Sequence, residues 1–249
     1  MTCVKDIYNY INSVAPFNTQ AEWDNAGIIT GSPEAQVTKA VMSLDVTKAV
    51  AEKAVSSGAE LILSHHPLIF NAVKRLYSGS ALYNCVNHGI SVISAHTNFD
   101  RAENGINTNL CRLLGIKNVQ PIEDTFIVVG ELENEMRAAD FARFVSAKLH
   151  VSGLRFTDSH RVIKKVAVGG GACEEYLGQA MQLADCFLTG DAKYHVMLEA
   201  AEENFCLISA GHYETEYSAF MMLKDKLAKE FPDVEFVSAD QENPVSAVF

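Results

Sequence analysis

No apolar run in this chain approaches the roughly 20 residues that a membrane-spanning helix needs. The opening Met1-Thr2-Cys3-Val4-Lys5-Asp6 also lacks the charged and apolar regions of a secretory leader. Both absences lead us to expect a cytoplasmic protein that stays out of membranes. No C-x-x-C pair occurs among the six cysteines, Cys3, Cys85, Cys111, Cys173, Cys186 and Cys206. Most fall inside apolar periodic segments, so they read as reduced, buried small hydrophobes, which argues against a disulfide framework or a zinc knuckle. Nothing offsets a formal net charge of −11: there is no Lys/Arg stripe and no interleaving of basic and aromatic residues. Such a chain repels a phosphate backbone, so nucleic acid is not expected as a partner, while a local pocket for one nucleotide stays open.

What is present is an alternation of strand-like and helical patterns over 249 residues, enough for one large α/β domain or two small ones. Residues 4–14 form an amphipathic helix pattern, 27–30 and 39–44 read as strands, and 47–57 as a helix. Residues 61–63 make a short apolar strand, 81–87 a helix, 90–94 a strand and 105–114 a helix. This β-α-β progression predicts a mostly parallel sheet flanked by helices.

The second half repeats the order. After a strand at 126–132 and a helix over 137–149, Lys165-Val166-Ala167-Val168 matches Lys39-Ala40-Val41-Met42. The run from Ala184 to Asp191 then matches that from Ala59 to His66, and Ile208-Ser209-Ala210 matches Ile93-Ser94-Ala95. Three matches in one order point to a duplicated α/β unit. The offset between copies shrinks along the chain, so the first copy carries the longer connection, residues 67–80. The boundary falls near 121–125, giving repeats 1–124 and 125–249.

Chemistry-bearing residues cluster where predicted strands end, which is where open parallel sheets bind ligands. Ser64-His65-His66-Pro67 follows the strand at 61–63. Neighbouring side chains on extended backbone point to opposite sides, so one ion would not easily take both His65 and His66. They serve two ions, or one of them is structural. In Ala95-His96-Thr97-Asn98-Phe99-Asp100, Asp100 is the better ligand candidate, because a carboxylate can bridge two ions. His96 is either a ligand or orients one from behind. In Gly211-His212-Tyr213-Glu214-Thr215-Glu216, His212 and Glu216 are i and i+4 on one helix face, whereas Glu214 faces elsewhere and complements the helix dipole.

A mixed set of nitrogen and oxygen donors suits Zn, Fe(II), Mn, Co or Ni, with two ions about 3.5 to 4 Å apart as the usual catalytic geometry. Open positions on such ions hold water whose pKa falls toward about 7, which is the physical case for hydrolysis. Gly190-Asp191-Ala192-Lys193-Tyr194-His195 occupies the repeat position of His65-His66. Asp191 or His195 could carry protons and Lys193 could meet a phosphate, but a capped helix start explains the same residues. Gly169-Gly170-Gly171 is a strand-to-helix turn or a phosphate cradle, and without a downstream Lys-Ser/Thr it is not a P-loop. Trp23-Asp24-Asn25 reads as a packed Trp beside a turn.

These motifs, in this order and over nearly the whole chain, resemble the family of GTP cyclohydrolase 1 type 2 homologues, also called the Nif-three-like family. The resemblance implies a duplicated α/β fold, two sheets flanked by helices, with a metal site in the cleft between the halves. It implies two divalent ions (Zn, Fe or Mn) held by His65, His66, Asp100, His212 and Glu216, with His96 beside them, and a homo-oligomer in the form of a toroidal hexamer. The family name implies opening of the GTP imidazole ring, yet no motif here reads guanine. The expectation is therefore a dinuclear metal-dependent hydrolase of a nucleotide or another phosphorylated small molecule. His96, Asp191 or His195 would handle its protons. The contrasting expectation is a non-catalytic metal-handling or assembly scaffold.

Overall fold

Leu61-Ile62-Leu63-Ser64 is buried at all four positions. A strand with no polar face must be covered on both sides, as parallel strands of α/β sheets are. In the computed structural model, which describes residues 1–245, this segment is β3 (Leu61–Ser64). Its sheet has the order β1-β4-β3-β2-β11, with β1 (Gly27–Thr30), β2 (Lys39–Ser43), β4 (Ser91–Ser94) and β11 (Glu235–Ser238). All pairings are parallel except that of β1 with β4.

The helices of this unit are α1 (Val4–Val14), α2 (Lys48–Ser57), α3 (Ala81–Asn87) and α4 (Thr97–Arg101). Val4, Ile7 and Ile11 are the buried face of α1. Thr47 opens α2 by accepting from the Val50 N–H at 3.2 Å, and Gly58 closes it in the left-handed region at φ 70°. Val41, Ile62 and Val92 of the sheet meet Val50, Ala51 and Ala54 of α2 and Cys85 of α3 in one apolar cluster.

The second sheet has the order β5-β6-β8-β9-β10-β7. Its strands are β5 (Lys117–Pro121), β6 (Val128–Arg137), β7 (Arg155–Phe156), β8 (Val162–Gly169), β9 (Cys186–Thr189) and β10 (Cys206–Ser209). The helices α5 (Ile106–Leu113), α6 (Ala138–Leu149), α7 (Leu177–Leu183) and α8 (Tyr194–Glu202) accompany it. Ala167, Phe187 and Leu207 pack with Leu177, Ala180, Val196 and Ala200.

The duplication is visible in the topology. In one sheet β2, β3 and β4 run parallel with β1 antiparallel against β4. In the other β8, β9 and β10 run parallel with β7 antiparallel against β10. The chain is thus α/β with two helix-flanked sheets. Its compact units differ from the repeats 1–124 and 125–249. They are Met1–Asn104 with Phe220–Glu242, and Gly105–Ala219 with residues 243–245. The cause is the end of the chain: α9 (His212–Glu230) contributes its residues from Phe220 onward to the first unit, and β11 pairs with β2. An open parallel edge exposes unpaired amides, and β11 satisfies those of β2.

Among the described residues no helix is long and apolar enough to cross a membrane. None of the six cysteines is in a disulfide; Cys3 at the start of α1 is the partly exposed one. Cys186 and Cys206 sit opposite each other on β9 and β10 with their Sγ atoms 3.4 Å apart.

Candidate metal centre

Register decides what emerges at the end of the first sheet. Ser43, Ser64 and Ser94 are paired neighbours on β2, β3 and β4, so Asp45, His65-His66 and His96 leave three adjacent strands together. The ladder continues briefly past the strand ends, with the His66 N–H donating to the Leu44 carbonyl at 2.9 Å and the Ala95 N–H to that of Ser64 at 2.9 Å. His65 and His66 do not diverge as extended neighbours would. Regular strand ends at Ser64, both histidines lie in a bend, and their ring centroids are 5.0 Å apart. His96 lies 5.1 Å from His65 and 5.4 Å from His66. Each of the three offers a ring nitrogen within 4.8 Å of the others, which fits a metal ion.

The other ring nitrogen of each is already engaged. His65 Nδ1 lies 2.7 Å from the Ala95 carbonyl, His66 Nδ1 2.7 Å from Asp45 Oδ1, and His96 Nδ1 2.9 Å from Asp24 Oδ1. A carbonyl or a carboxylate can only accept, so Nδ1 carries the proton and, in the neutral ring, Nε2 presents a lone pair that can take an ion or a proton. The orienting carboxylates are themselves held. Asp45 Oδ2 accepts from Gln241 Nε2 at 2.7 Å, while Gln241 Oε1 takes the N–H groups of Leu44 and Asp45. Asp24 Oδ2 accepts from the Thr97 N–H and hydroxyl. Burial alone would raise the Asp24 pKa, but the His96 and Thr97 hydrogen bonds and the charge on His96 outweigh it and hold the carboxyl at about 2. Asp100 Oδ1 completes the cluster 3.5 Å from His65 Nε2.

Trp23 is not packed: the residue is 65% exposed, and its ring meets His96 at a centroid distance of 5.9 Å. The buried member of that motif is Asp24, whose side chain is fully covered. Sequence reasoning missed Asp24, Asp45 and Gln241. Asp45 carried a usable signal, since it follows β2 much as His65 follows β3; Gln241 carried none.

The second sheet repeats the device. Gly169, Thr189 and Ser209 are paired neighbours on β8, β9 and β10, so Gly170-Gly171, Gly190-Asp191 and Gly211-His212 emerge side by side. His212 Nδ1 lies 2.7 Å from Asp191 Oδ2 and its Nε2 3.2 Å from Glu216 Oε2. Burial pulls the His212 pKa down, but hydrogen bonds and charge from Asp191 and Glu216 prevail and push it up to about 10. Asp191 is therefore the orienting partner of His212. His195 is exposed in the first turn of α8 and, among the described residues, belongs to no group spaced to hold an ion. Lys193 pairs with Glu174 at 3.1 Å, and Glu214 accepts from Asn243 at 2.9 Å.

The glycine turn packs rather than cradles phosphate. The Gly170 N–H donates to Asn107 Oδ1 at 2.7 Å and that of Gly171 to Thr215 Oγ1 at 3.0 Å, so neither amide is left for an anion. At Gly171, with φ +65°, a Cβ would collide with Glu216 Oε1. In the first unit, the Phe220 ring of α9 lies 5.5 Å from His65 and 5.8 Å from Phe99.

Residues 2–244 match the model of the family Duf34/NIF3 (NGG1p interacting factor 3). The chain belongs to this family. Among curated relatives, the GTP cyclohydrolase 1 type 2 homolog of Clostridium perfringens is 32% identical over 256 aligned positions, covering 97% of this chain and 98% of the relative. A Helicobacter pylori protein (strain J99) named GTP cyclohydrolase 1 type 2 is 32% identical over 222 positions, 87% of this chain and 88% of its own. Among solved structures, a hypothetical protein of Staphylococcus aureus superposes with a TM-score of 0.92 at 28% identity, covering 99% of both chains. The resemblance read from the strand-end motifs thus holds across the chain.

Proposed function

We propose that this chain is a divalent-metal-dependent hydrolase of a nucleotide or other phosphorylated small molecule, with two ions held by His65, His66, Asp100, His212 and Glu216. The observation that carries it is the common treatment of four histidines. His65, His66, His96 and His212 each have Nδ1 engaged by a carbonyl or carboxylate oxygen. That is how imidazole ligands are oriented around metals. The names of the relatives point the substrate toward GTP-like compounds.

A pair of divalent ions would supply Lewis acidity and lower the pKa of water. The chain's own residues do the rest. Asp100, 3.5 Å from His65, would help hold the ions, and Asp45 and Asp191 keep His66 and His212 in their binding tautomers. His96, with Nδ1 fixed by Asp24, takes up or returns a proton at Nε2. Asp191 and His195 are not assigned that task, the first being engaged and the second exposed on α8. A toroidal homohexamer is part of the proposal and is tested by sedimentation of the purified protein.

The deciding experiment loads purified protein with Mn, Fe or Zn and screens nucleotides and phosphoesters. We expect about two ions per chain and turnover that disappears in His66→Ala and Glu216→Ala. Turnover that survives both substitutions overturns the assignment. Bound ions with no turnover on a broad panel replace the hydrolase with a metal-handling scaffold.

A further inference from the structure

Trp23 is the single tryptophan of the chain. The residue is 65% exposed, and Phe70, in the long connection between β3 and α3, is 47% exposed. Both lie against the same histidine: Trp23 meets His96 at 5.9 Å with the planes 70° apart, and Phe70 meets it at 5.6 Å with the planes 85° apart. Their loops are tied down. Asp24, next to Trp23, is fixed to His96 and Thr97, and Asn25 Nδ2 donates to the Ile69 carbonyl at 2.7 Å, joining the Trp23 loop to the Phe70 loop. Two large aromatic rings are thus held partly in water beside a cluster of metal-type ligands, where burial would otherwise be favoured.

We propose that Trp23 and Phe70 form a stacking platform for a planar nitrogen heterocycle, a nucleobase carried by a mononucleotide, and position that ring next to His96. This rests on the hydrolase reading above and adds the residues that select a ring-bearing substrate. Aromatic side chains accept any base because every base has a π-face. A ring stacked about 3.5 to 4 Å from the indole would sit within reach of His96 Nε2 and of the ligand set behind it. A mononucleotide is favoured over a polynucleotide by the net charge of −11, which repels a continuous phosphate backbone. Trp23 and Phe70 act through placement and transfer no proton.

The lone indole makes the test direct. Emission excited at the red edge of indole absorption, where bases absorb little, is followed while guanosine monophosphate, ribose 5-phosphate or inorganic triphosphate is added to the full chain. Saturable quenching is expected from the nucleotide alone. By calorimetry, Trp23→Ala and Phe70→Ala should each weaken nucleotide binding by about tenfold, with ion content and circular dichroism unchanged. Equal quenching by ribose 5-phosphate, or unaltered affinity in both variants, overturns the platform. So does emission that responds to protein dilution but not to nucleotide, which would assign the rings to a second copy of the chain. Loss of ions in the parent protein with quenching preserved would instead sink the hydrolase reading and leave the platform standing.

Discussion

Asp24 and His96 are 72 residues apart in the chain, and a carboxylate oxygen of the first lies 2.9 Å from Nδ1 of the second. The pair is closed further by Thr97, which gives Asp24 both its N–H and its hydroxyl. One buried carboxylate thereby fixes the tautomer of His96 and the start of α4. The substitution Asp24→Asn keeps the shape and removes the charge. Orienting partners of this kind are worth about 10- to 100-fold in ion affinity or activity. We expect a loss in that range for the variant, read by competition with a chelating dye and by turnover.

The same carboxylate sets an acid limit. Its folded pKa of about 2 lies below the roughly 3.9 of an unfolded Asp, so on acidification the unfolded chain takes the proton first. The stabilisation is complete above about pH 4 and is lost as pH falls through about 2, with a full value of about 2 kcal/mol. Urea midpoints measured between pH 5 and pH 2 should fall more steeply for the parent than for Asp24→Asn. Parallel curves would show that Asp24 does not carry this term.

His212 has the opposite sign. Its folded pKa of about 10 lies above the roughly 6.5 of a free imidazole, so its contribution is present below about pH 6.5 and lost as pH rises through about 10. An ion taking Nε2 must displace that proton. Ion binding near pH 7.5 should release about one proton on account of His212, measured by calorimetry in buffers of different ionisation enthalpy. His212→Gln should lower the count by about one, and an unchanged count would remove His212 from the ligand set.

Gly171 offers a way to disturb Glu216 without touching it. A methyl there meets Glu216 Oε1 and comes within 3.2 Å of His212 Nε2. It also strains a backbone at φ +65°. Gly171→Ala should cost about 1 kcal/mol or more in stability and reduce ion content per folded chain, read by metal analysis. Full ion content would show that the Glu216 side chain can move aside.

Ile62, fully buried at the centre of β3, is the structural counterpart. Ile62→Ala should lower unfolding stability by about 2–5 kcal/mol through the cavity it leaves. Ion content of the folded fraction should stay unchanged, as measured by denaturation and metal analysis.

Much of the fold was legible because parallel strands buried on both faces leave apolar runs that need no partner to be recognised. Leu61-Ile62-Leu63, Ile93-Ser94-Ala95 and Ile208-Ser209-Ala210 all proved to lie in or at the ends of such strands. Short or exposed strands were not legible. β7 is two exposed residues, Arg155 and Phe156, and exists only through its pairing with β10. β11 is defined by its ladder on β2.

The site divides in the same way. The local pattern of His and carboxylate residues at strand ends, together with the i, i+4 relation of His212 and Glu216, was settled by the polypeptide itself, because strand and helix periods fix where near neighbours point. Asp24 under His96, Asp45 and Gln241 behind His66, and the approach of the His65 ring to that of His66 were decided only by the folded structure. Strand register, the bend after Ser64 and hydrogen bonds between residues 196 positions apart bring those groups together, and no spacing along a chain encodes distances of that kind.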